Sequence, residues 1–527
     1  MVPSDTVSPQ TWLARVFSPL IPIVVAVLLI WRSAFRPWGQ HQYWGDNGVF
    51  AYVAWAWQQG RVPYTEAWDN KGPLLYALDR FGLALHGSTG IYALELLFAI
   101  VSAVIAWRIA SLLSPSSVLA ALSASVGLLP LYSTFEAGNL AEEWALPFCL
   151  CVCYVALSFF FAPDTIRHWQ IVSVGICVGA ITLLRANILT IPAVFLIGVI
   201  LTLIMRHEFV QIVKWCLLAI LGIIIIAGPF VVYLAFHKAL TACWNAAYGG
   251  VFRWSTTFSA QIASIGTLAI SFKPKILFVV IAITVCGWLL HALQRGIKSL
   301  FPIPAIVTAA LILNLYSNAL SAQPYLHYWT TFVPPTIIVT AIFLDWCVRG
   351  THLASRWFNT KWLSRFIASA LTVVMFASCV LVVSTKYTQL SSALFGVPNS
   401  NWETDIEFIT SHSGPADTIQ IFGYGGPNGD SPGLYFRTER LAASCYPYTP
   451  MSFWTLQAQQ QIAIGIADDI LARPPAILLG TPNDYTDFLN LLPEQVRNSM
   501  EALVDNNFKE VDVIGTGSVI AYIQRTE

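Results

Sequence analysis

The chain has 527 residues, of which 56% are apolar and only 11% charged, with 28 Lys+Arg matching 28 Asp+Glu. Soluble domains carry roughly 25% charged residues, so the polar surface is too small for an all-soluble enzyme, a disordered chain or a disulfide-rich secreted scaffold. With no basic excess, no nucleic-acid partner is expected.

A spanning helix needs about 20 mostly apolar residues. Such stretches lie near 16–35, 91–113, 117–134, 144–162, 170–184, 187–205, 212–236, 276–293, 301–318, 330–348 and 364–384, which predicts about eleven spans. The first has no small-residue cleavage signal behind it and reads as a retained anchor. The short 170–184 stretch meets the next at Arg185-Ala186-Asn187, in a tight hairpin or a partly re-entrant segment. The remainder comprises outer loops at 36–90 and 237–275 and a soluble tail at 386–527. In the second loop Trp244, Tyr248, Phe252, Trp254 and Phe258 suggest interfacial helices. The tail reads as a small α/β domain, with strands at 418–423, 476–480 and 518–523 and helical apolar spacing near 455–472 and 484–504. Its run from Gly423 to Gly429 lacks the Lys-Ser/Thr and the clean entry into a helix of a phosphate loop, and reads as a turn.

Basic residues orient the set. With the N-terminus in the cytoplasm, Arg167, Arg206, Lys214, Arg295, Lys298, Arg349, Arg356, Lys361 and Arg365 all fall in inner loops, whereas 135–143 and 319–329 hold no Lys or Arg. Arg32 and Arg36 run against this pattern; the later loops decide it, and the tail is then outside. Most of the 10 cysteines lie in apolar runs and read as small apolar residues. Cys243 and Cys445 fall in aqueous or interfacial segments, where a bridge is open, and no CxxC or zinc spacing occurs.

Ionisable residues near a membrane are costly and mark function. In this topology they gather, with other polar side chains, on the outer face: Asp46, Asp69 and Lys71 in the first loop, Glu136, Glu142 and Glu143 in the next, Arg185 and Asn187 at the hairpin, and His327 and Tyr328 before a late span. Transfer of a sugar from a lipid phosphate requires such a set. A carboxylate takes the proton of an acceptor hydroxyl, and cations hold the departing phosphate as its charge grows. Asp46 suits the base, Lys71, Arg185 and His327 suit the phosphate, and Asp69 with the three glutamates suits sugar hydroxyls or a metal. Each has a plainer reading. Asp46-Asn47-Gly48 can start a turn or cap a helix. Asp69 and Lys71 can form a local ion pair in a surface turn. Glu142 and Glu143 can be first-turn acids, Arg185 can snorkel, and His327 can be a buried, satisfied histidine. Glu95 reads as a hydrogen-bonded structural acid.

Asp46, the stretch Tyr64–Tyr76 containing Trp68-Asp69-Asn70-Lys71-Gly72-Pro73, and the stretch Glu136–Phe148 resemble bacterial glycosyltransferase family 39-like proteins. These belong to the GT-C class, with protein O-mannosyltransferases and lipid A aminoarabinose transferases as relatives. The likeness covers roughly 40–345. It implies a GT-C-like transmembrane catalytic domain, expected over 1–385, while the extracytoplasmic α/β domain over 386–527 is read from the tail's own pattern and the topology. It also implies a polyprenyl-phosphate sugar donor, a glycan, lipid or protein acceptor, membrane lipids as partners, transfer outside the bacterial cytoplasmic membrane, and inversion at the anomeric carbon. Asp46 matches the catalytic acid, Asp69 and Lys71 the acidic-Lys-Pro segment, and His327-Tyr328 the late polar pair. Asn47 stands where a second acid is common, and Gly72 separates the lysine from its proline; a divalent metal therefore stays open. The alternatives are a transporter or flippase of lipid-linked sugars, which would place ionisable groups near mid-membrane, and a non-catalytic scaffold displaying the tail.

Overall fold

The structure, a computed structural model, describes residues 17–38, 45–114, 116–249, 257–271, 303–323, 325–358, 400–423, 431–450, 454–512 and 520–524. They form two compact units: Met1–Ser33, Glu95–Gly228 and Phe258–Ser392 in the first, and Ala34–Leu94, Pro229–Thr257 and Ala393–Glu527 in the second.

The first unit is helical. In lipid every backbone amide must be satisfied within its own segment, and long apolar runs do this as helices. Among the described residues, Pro73–Leu113, Ala141–Phe161, Ala186–Met205, Phe209–Phe236 and Leu326–Asp345 are long and apolar enough to cross a membrane. Leu20–Ile30, Ser117–Leu128, His168–Leu184 and Ala305–Ala319 are shorter apolar helices. The chain is a multi-pass membrane protein. Nine of the expected spans coincide with helices; those at 276–293 and 364–384 lie outside the described residues. The core is rich in small residues, including Ala103, Ala106, Ala110, Ala120 and Ala124, which let helices approach closely. His168–Leu184 and Phe209–Phe236 meet backbone to backbone. A Cβ on Gly175 would overlap the Ala219 carbonyl, and one on Gly222 the Val172 carbonyl. The outer face of Phe209–Phe236 exposes Val213, Leu217, Ile220, Leu221 and Ile224, a stripe suited to acyl chains.

The second unit departs from the expected loop at 36–90, which contains the helix Asp46–Gln58 and the beginning of Pro73–Leu113. The first of these is too short to span a membrane. Val49, Phe50, Ala51, Tyr52, Val53 and Ala54 are nevertheless all buried, so it is a packed internal helix rather than a surface loop. The 41-residue run Pro73–Leu113 is broken at His86 and Gly87, where the backbone leaves helical geometry. In the 237–275 loop, the Leu240–Cys243 turn continues as one π-turn, Trp244–Tyr248, and Phe258–Ser271 is a helix of the first unit.

The tail contributes a five-stranded sheet to the second unit: β1 Thr418–Ile421, β2 Leu441–Ala442, β3 Ile477–Gly480, β4 Phe508–Asp512 and β5 Ile520–Gln524, in the order β2-β1-β3-β5-β4. β1 runs parallel to β2 and β3, with Ile419 opposite Ile477; β5 is antiparallel to both β3 and β4. Ile462, Ile466 and Ile470 are buried at four-residue spacing on the Leu456–Ala472 helix. The strands at 418–421 and 477–480 fall where apolar runs marked them, whereas 424–430 of the glycine-rich run are outside the described residues. Tail and first loop share a core. The Ala442 amide donates to Tyr52 Oη at 2.9 Å, and the Trp68 amide to the Cys445 carbonyl at 2.7 Å. Burial pushes the Tyr52 phenol up to about 12. Cys243 and Cys445 are free thiols.

Candidate functional site

Nine of the residues singled out by sequence fall into two groups, one in each unit. Asp46, Asp69 and Lys71 belong to the second; Glu136, Glu142, Glu143, Arg185, His327 and Tyr328 belong to the first.

In the second unit Asp46 is the first residue of the Asp46–Gln58 helix, where the free amides and the positive pole of the helix favour a carboxylate. Lys71 Nζ lies 3.6 Å from Asp46 Oδ2, and the two side chains are 12% and 28% exposed. The ammonium also donates to Asn70 Oδ1 at 2.7 Å and lies 5.2 Å from the centre of the Phe50 ring. Asp69 is different in kind. It is 3% exposed, and its two oxygens accept the hydroxyls of Tyr76 at 2.6 Å and Tyr448 at 2.9 Å. Tyr76 Oη in turn accepts the Lys71 amide at 3.1 Å, and Tyr64 Oη donates to the Lys71 carbonyl at 2.9 Å. Asp69 thus braces the segment that presents Lys71.

In the first unit the polar residues form a connected chain. Glu142, in the first turn of Ala141–Phe161, accepts from Arg185 Nη1 at 2.6 Å. Arg185 Nη2 donates to Tyr328 Oη at 2.8 Å, with its guanidinium 4.4 Å from the centre of that ring. The Tyr328 ring meets His327 edge-on at 4.8 Å, and His327 Nδ1 lies 2.6 Å from Glu136 Oε2. Arg185 reaches this position because it ends the His168–Leu184 helix in extended backbone. The 3₁₀ segment Leu326–Phe332 is fixed from the Ile303–Ala319 helix, where Asn318 Nδ2 donates to the Tyr328 carbonyl at 2.9 Å and Asn314 Nδ2 to Thr331 Oγ1 at 2.8 Å. Glu143 stands apart from the chain; its Oε2 accepts the Leu140 amide at 3.4 Å at the helix start.

The Glu136 loop is unusual. Glu136, Ala137, Gly138 and Asn139 all have positive φ, at 25°, 74°, 89° and 57°. Non-glycine residues resist this conformation by roughly 1–2 kcal/mol each. The loop is held by Glu95, whose Oε1 accepts the Asn139 amide at 2.7 Å and whose Oε2 accepts Ser33 Oγ–H at 2.5 Å. Trp144 Nε1 also donates to Asn139 Oδ1 at 2.8 Å. Glu95 is the structural acid the sequence suggested, and its work is to place Glu136. A Cβ on Gly138 would lie 2.5 Å from Glu95 Oε1 and 2.9 Å from Phe135 Cζ. Gly138→Ala is therefore expected to cost about 1–3 kcal/mol, read as a lower denaturation midpoint, whereas a surface glycine replacement is nearly silent.

Among the described residues no group of three or more His, Cys, Asp or Glu stands close enough to share a metal ion. Asp46 faces Lys71, Glu142 faces Arg185 and Glu136 faces His327. Asp46 and Glu142 are thus each matched to a side-chain cation.

No family model matches the chain, and no curated protein matches it in sequence. Its fold does have counterparts. ArnT from Cupriavidus metallidurans bound to undecaprenyl phosphate superposes with a TM-score of 0.61 at 13% identity, over 98% of each chain. The same protein in the apo state gives 0.58 at 13% identity, over 95% of this chain and 97% of that one. The oligosaccharyltransferase AglB from Archaeoglobus fulgidus, in complex with an inhibitory peptide and a dolichol-phosphate, gives 0.52 at 12% identity, over 98% of this chain and 74% of that one. The chain has the GT-C fold. That resemblance was carried in the sequence by the first loop and the Glu136–Phe148 stretch.

Sequence reasoning missed the tyrosines around the Asp69–Lys71 segment. Tyr448 lies 379 residues from Asp69, and no spacing links them. Tyr76 and Tyr64 flank the Asp69–Lys71 segment and read as ordinary aromatic packing until their hydroxyl partners are seen.

Proposed function

We propose that the protein transfers a sugar from a polyprenyl-phosphate donor to an acceptor hydroxyl, with inversion, on the extracytoplasmic side of the bacterial cytoplasmic membrane. The acceptor is a glycan, a lipid or a protein. Residues 1–385 are the catalytic membrane part, and 386–527 the domain on that outer side. The observation that carries this reading is the Asp46–Lys71 pair: a carboxylate 28% exposed at a helix start, beside an ammonium fixed by its neighbours. Asp69 and Glu142, at 3% and 2%, are too enclosed to take a proton from an incoming substrate.

In this mechanism Asp46 accepts the proton of the acceptor hydroxyl. The acceptor oxygen bonds to the anomeric carbon from the face opposite the phosphate, and the bond from that carbon to the phosphate oxygen breaks. The lipid phosphate leaves with the electron pair. Lys71 and Arg185 supply positive charge for it. The His327–Glu136 pair contributes hydrogen bonds, and Glu136, whose side chain is 35% exposed, is the acid open to a sugar hydroxyl. Tyr328 holds Arg185, and Glu143 holds the helix that carries Glu142. Fold alone does not assign chemistry; the undecaprenyl phosphate bound by ArnT supports the donor class.

The test is purified protein in nanodiscs with a panel of labelled undecaprenyl-phosphate pentoses and hexoses. Expected are label transfer to an acceptor, release of undecaprenyl phosphate, and at least tenfold weaker retention of that lipid by Arg185→Ala, since one charge-assisted contact is worth roughly that factor. A wild-type protein that does not retain undecaprenyl phosphate would overturn the reading.

A further inference from the structure

We propose that Tyr448 is a positioning residue for the Asp46–Lys71 pair, so that the C-terminal domain sets the aim of the Lys71 ammonium through Asp69. The inference deepens the proposed function and rests on it for the role of Lys71.

The contacts form an unbroken series. On the Leu456–Ala472 helix, Asp469 Oδ2 accepts Ser444 Oγ–H at 2.8 Å and the Cys445 amide at 3.0 Å. This pins the tail segment that crosses the first loop. There the Cys445 carbonyl accepts the Trp68 amide at 2.7 Å. The Trp68 ring packs among Tyr446, Tyr448 and Trp454, with centroids 5.3–6.0 Å away. Tyr448, 2% exposed, donates to Asp69 Oδ1, and Tyr76 donates to Oδ2. Tyr76 and Tyr64 then hold the Lys71 amide and carbonyl. A buried carboxylate is expensive unless its oxygens are hydrogen-bonded. With the Tyr448 hydroxyl gone, Asp69 gains by moving toward water, and the adjoining Asn70–Lys71 backbone moves with it.

The alternative is that Tyr448 only stabilises the tail. Tyr435 separates the two. Its hydroxyl is also buried and accepts the Ile421 amide at 2.7 Å, but that bond lies within the tail and leaves Asp69 untouched. Full-length Tyr448→Phe, Tyr435→Phe and wild-type proteins in nanodiscs are compared by amide exchange over residues 66–72 and by the rate of reductive methylation of the Lys71 amine, both read by mass spectrometry. Tyr448→Phe keeps the ring against Trp68 and is expected to speed both roughly tenfold, the weight of one hydrogen bond to a charged group. Tyr435→Phe is expected to leave both at wild-type rates while lowering the denaturation midpoint. Asp69→Asn, which weakens the same link from the other side, is expected to reproduce the Lys71 change if Tyr448→Phe folds poorly. Wild-type Lys71 reactivity in both folded Tyr448→Phe and Asp69→Asn, or equal loosening in Tyr435→Phe, would overturn the proposal. Neither readout uses a sugar donor, so an inactive wild-type protein would count against the glycosyl-transfer reading and not against the link.

Discussion

Asp46→Asn is expected to slow sugar transfer by roughly a hundredfold to ten-thousandfold, the usual weight of a positioned general base, with undecaprenyl phosphate still retained. The substitution keeps the size of the side chain and its place in the first helical turn, and removes only the capacity to take a proton. Lys71 keeps its hydrogen bond to Asn70 Oδ1 at 2.7 Å, so its ammonium is not stranded. Single-turnover transfer measured beside lipid retention separates the two effects. Full transfer by Asp46→Asn removes the base assignment.

Glu142→Leu is expected to lower the stability of the membrane unit by about 3–5 kcal/mol, the usual cost of breaking a buried ion pair from one side. The Glu142 side chain is 2% exposed and that of Arg185 18%, so the guanidinium has little water to turn to. The pair is then removed as a whole: Glu142→Leu with Arg185→Met should recover much of the lost stability, because two apolar groups of similar size leave no charge behind. It should not recover transfer, since the cation for the phosphate is gone. Denaturation midpoints and transfer rates on the same three proteins check both halves; recovery of transfer in the double variant would show that Arg185 serves structure alone.

What the sequence disclosed depended on how local the cause was. Apolar runs placed nearly every described helix of the first unit, because lipid admits few other solutions. The same signal passes over Asp46–Gln58, which is too short to span, although every residue from Asn47 to Ala54 is buried. Asp46 is the first residue of a helix whose N-cap is Gly45, a place that neither of its plainer readings gave it. His327 is buried and lies beside a glutamate, which is its plainer reading as a satisfied histidine. Glu142 and Arg185, 43 residues apart, and Glu136 and His327, 191 apart, were individually conspicuous as charges beside membrane. Their pairing is a property of the folded chain, as is the left-handed run through Glu136–Asn139, of which only glycine and asparagine give a local hint.

The glycine-lined contact between His168–Leu184 and Phe209–Phe236 bears on how the protein must be handled. Two flat helix surfaces adhere there by dispersion, with little of the entropic gain that water provides to a soluble core. Among the described residues the far side of Phe209–Phe236 is left exposed as an apolar stripe, which hydrocarbon would cover. Whatever amphiphile replaces the bilayer during extraction becomes part of that helix's support, and long, orderly chains will serve it better than short ones.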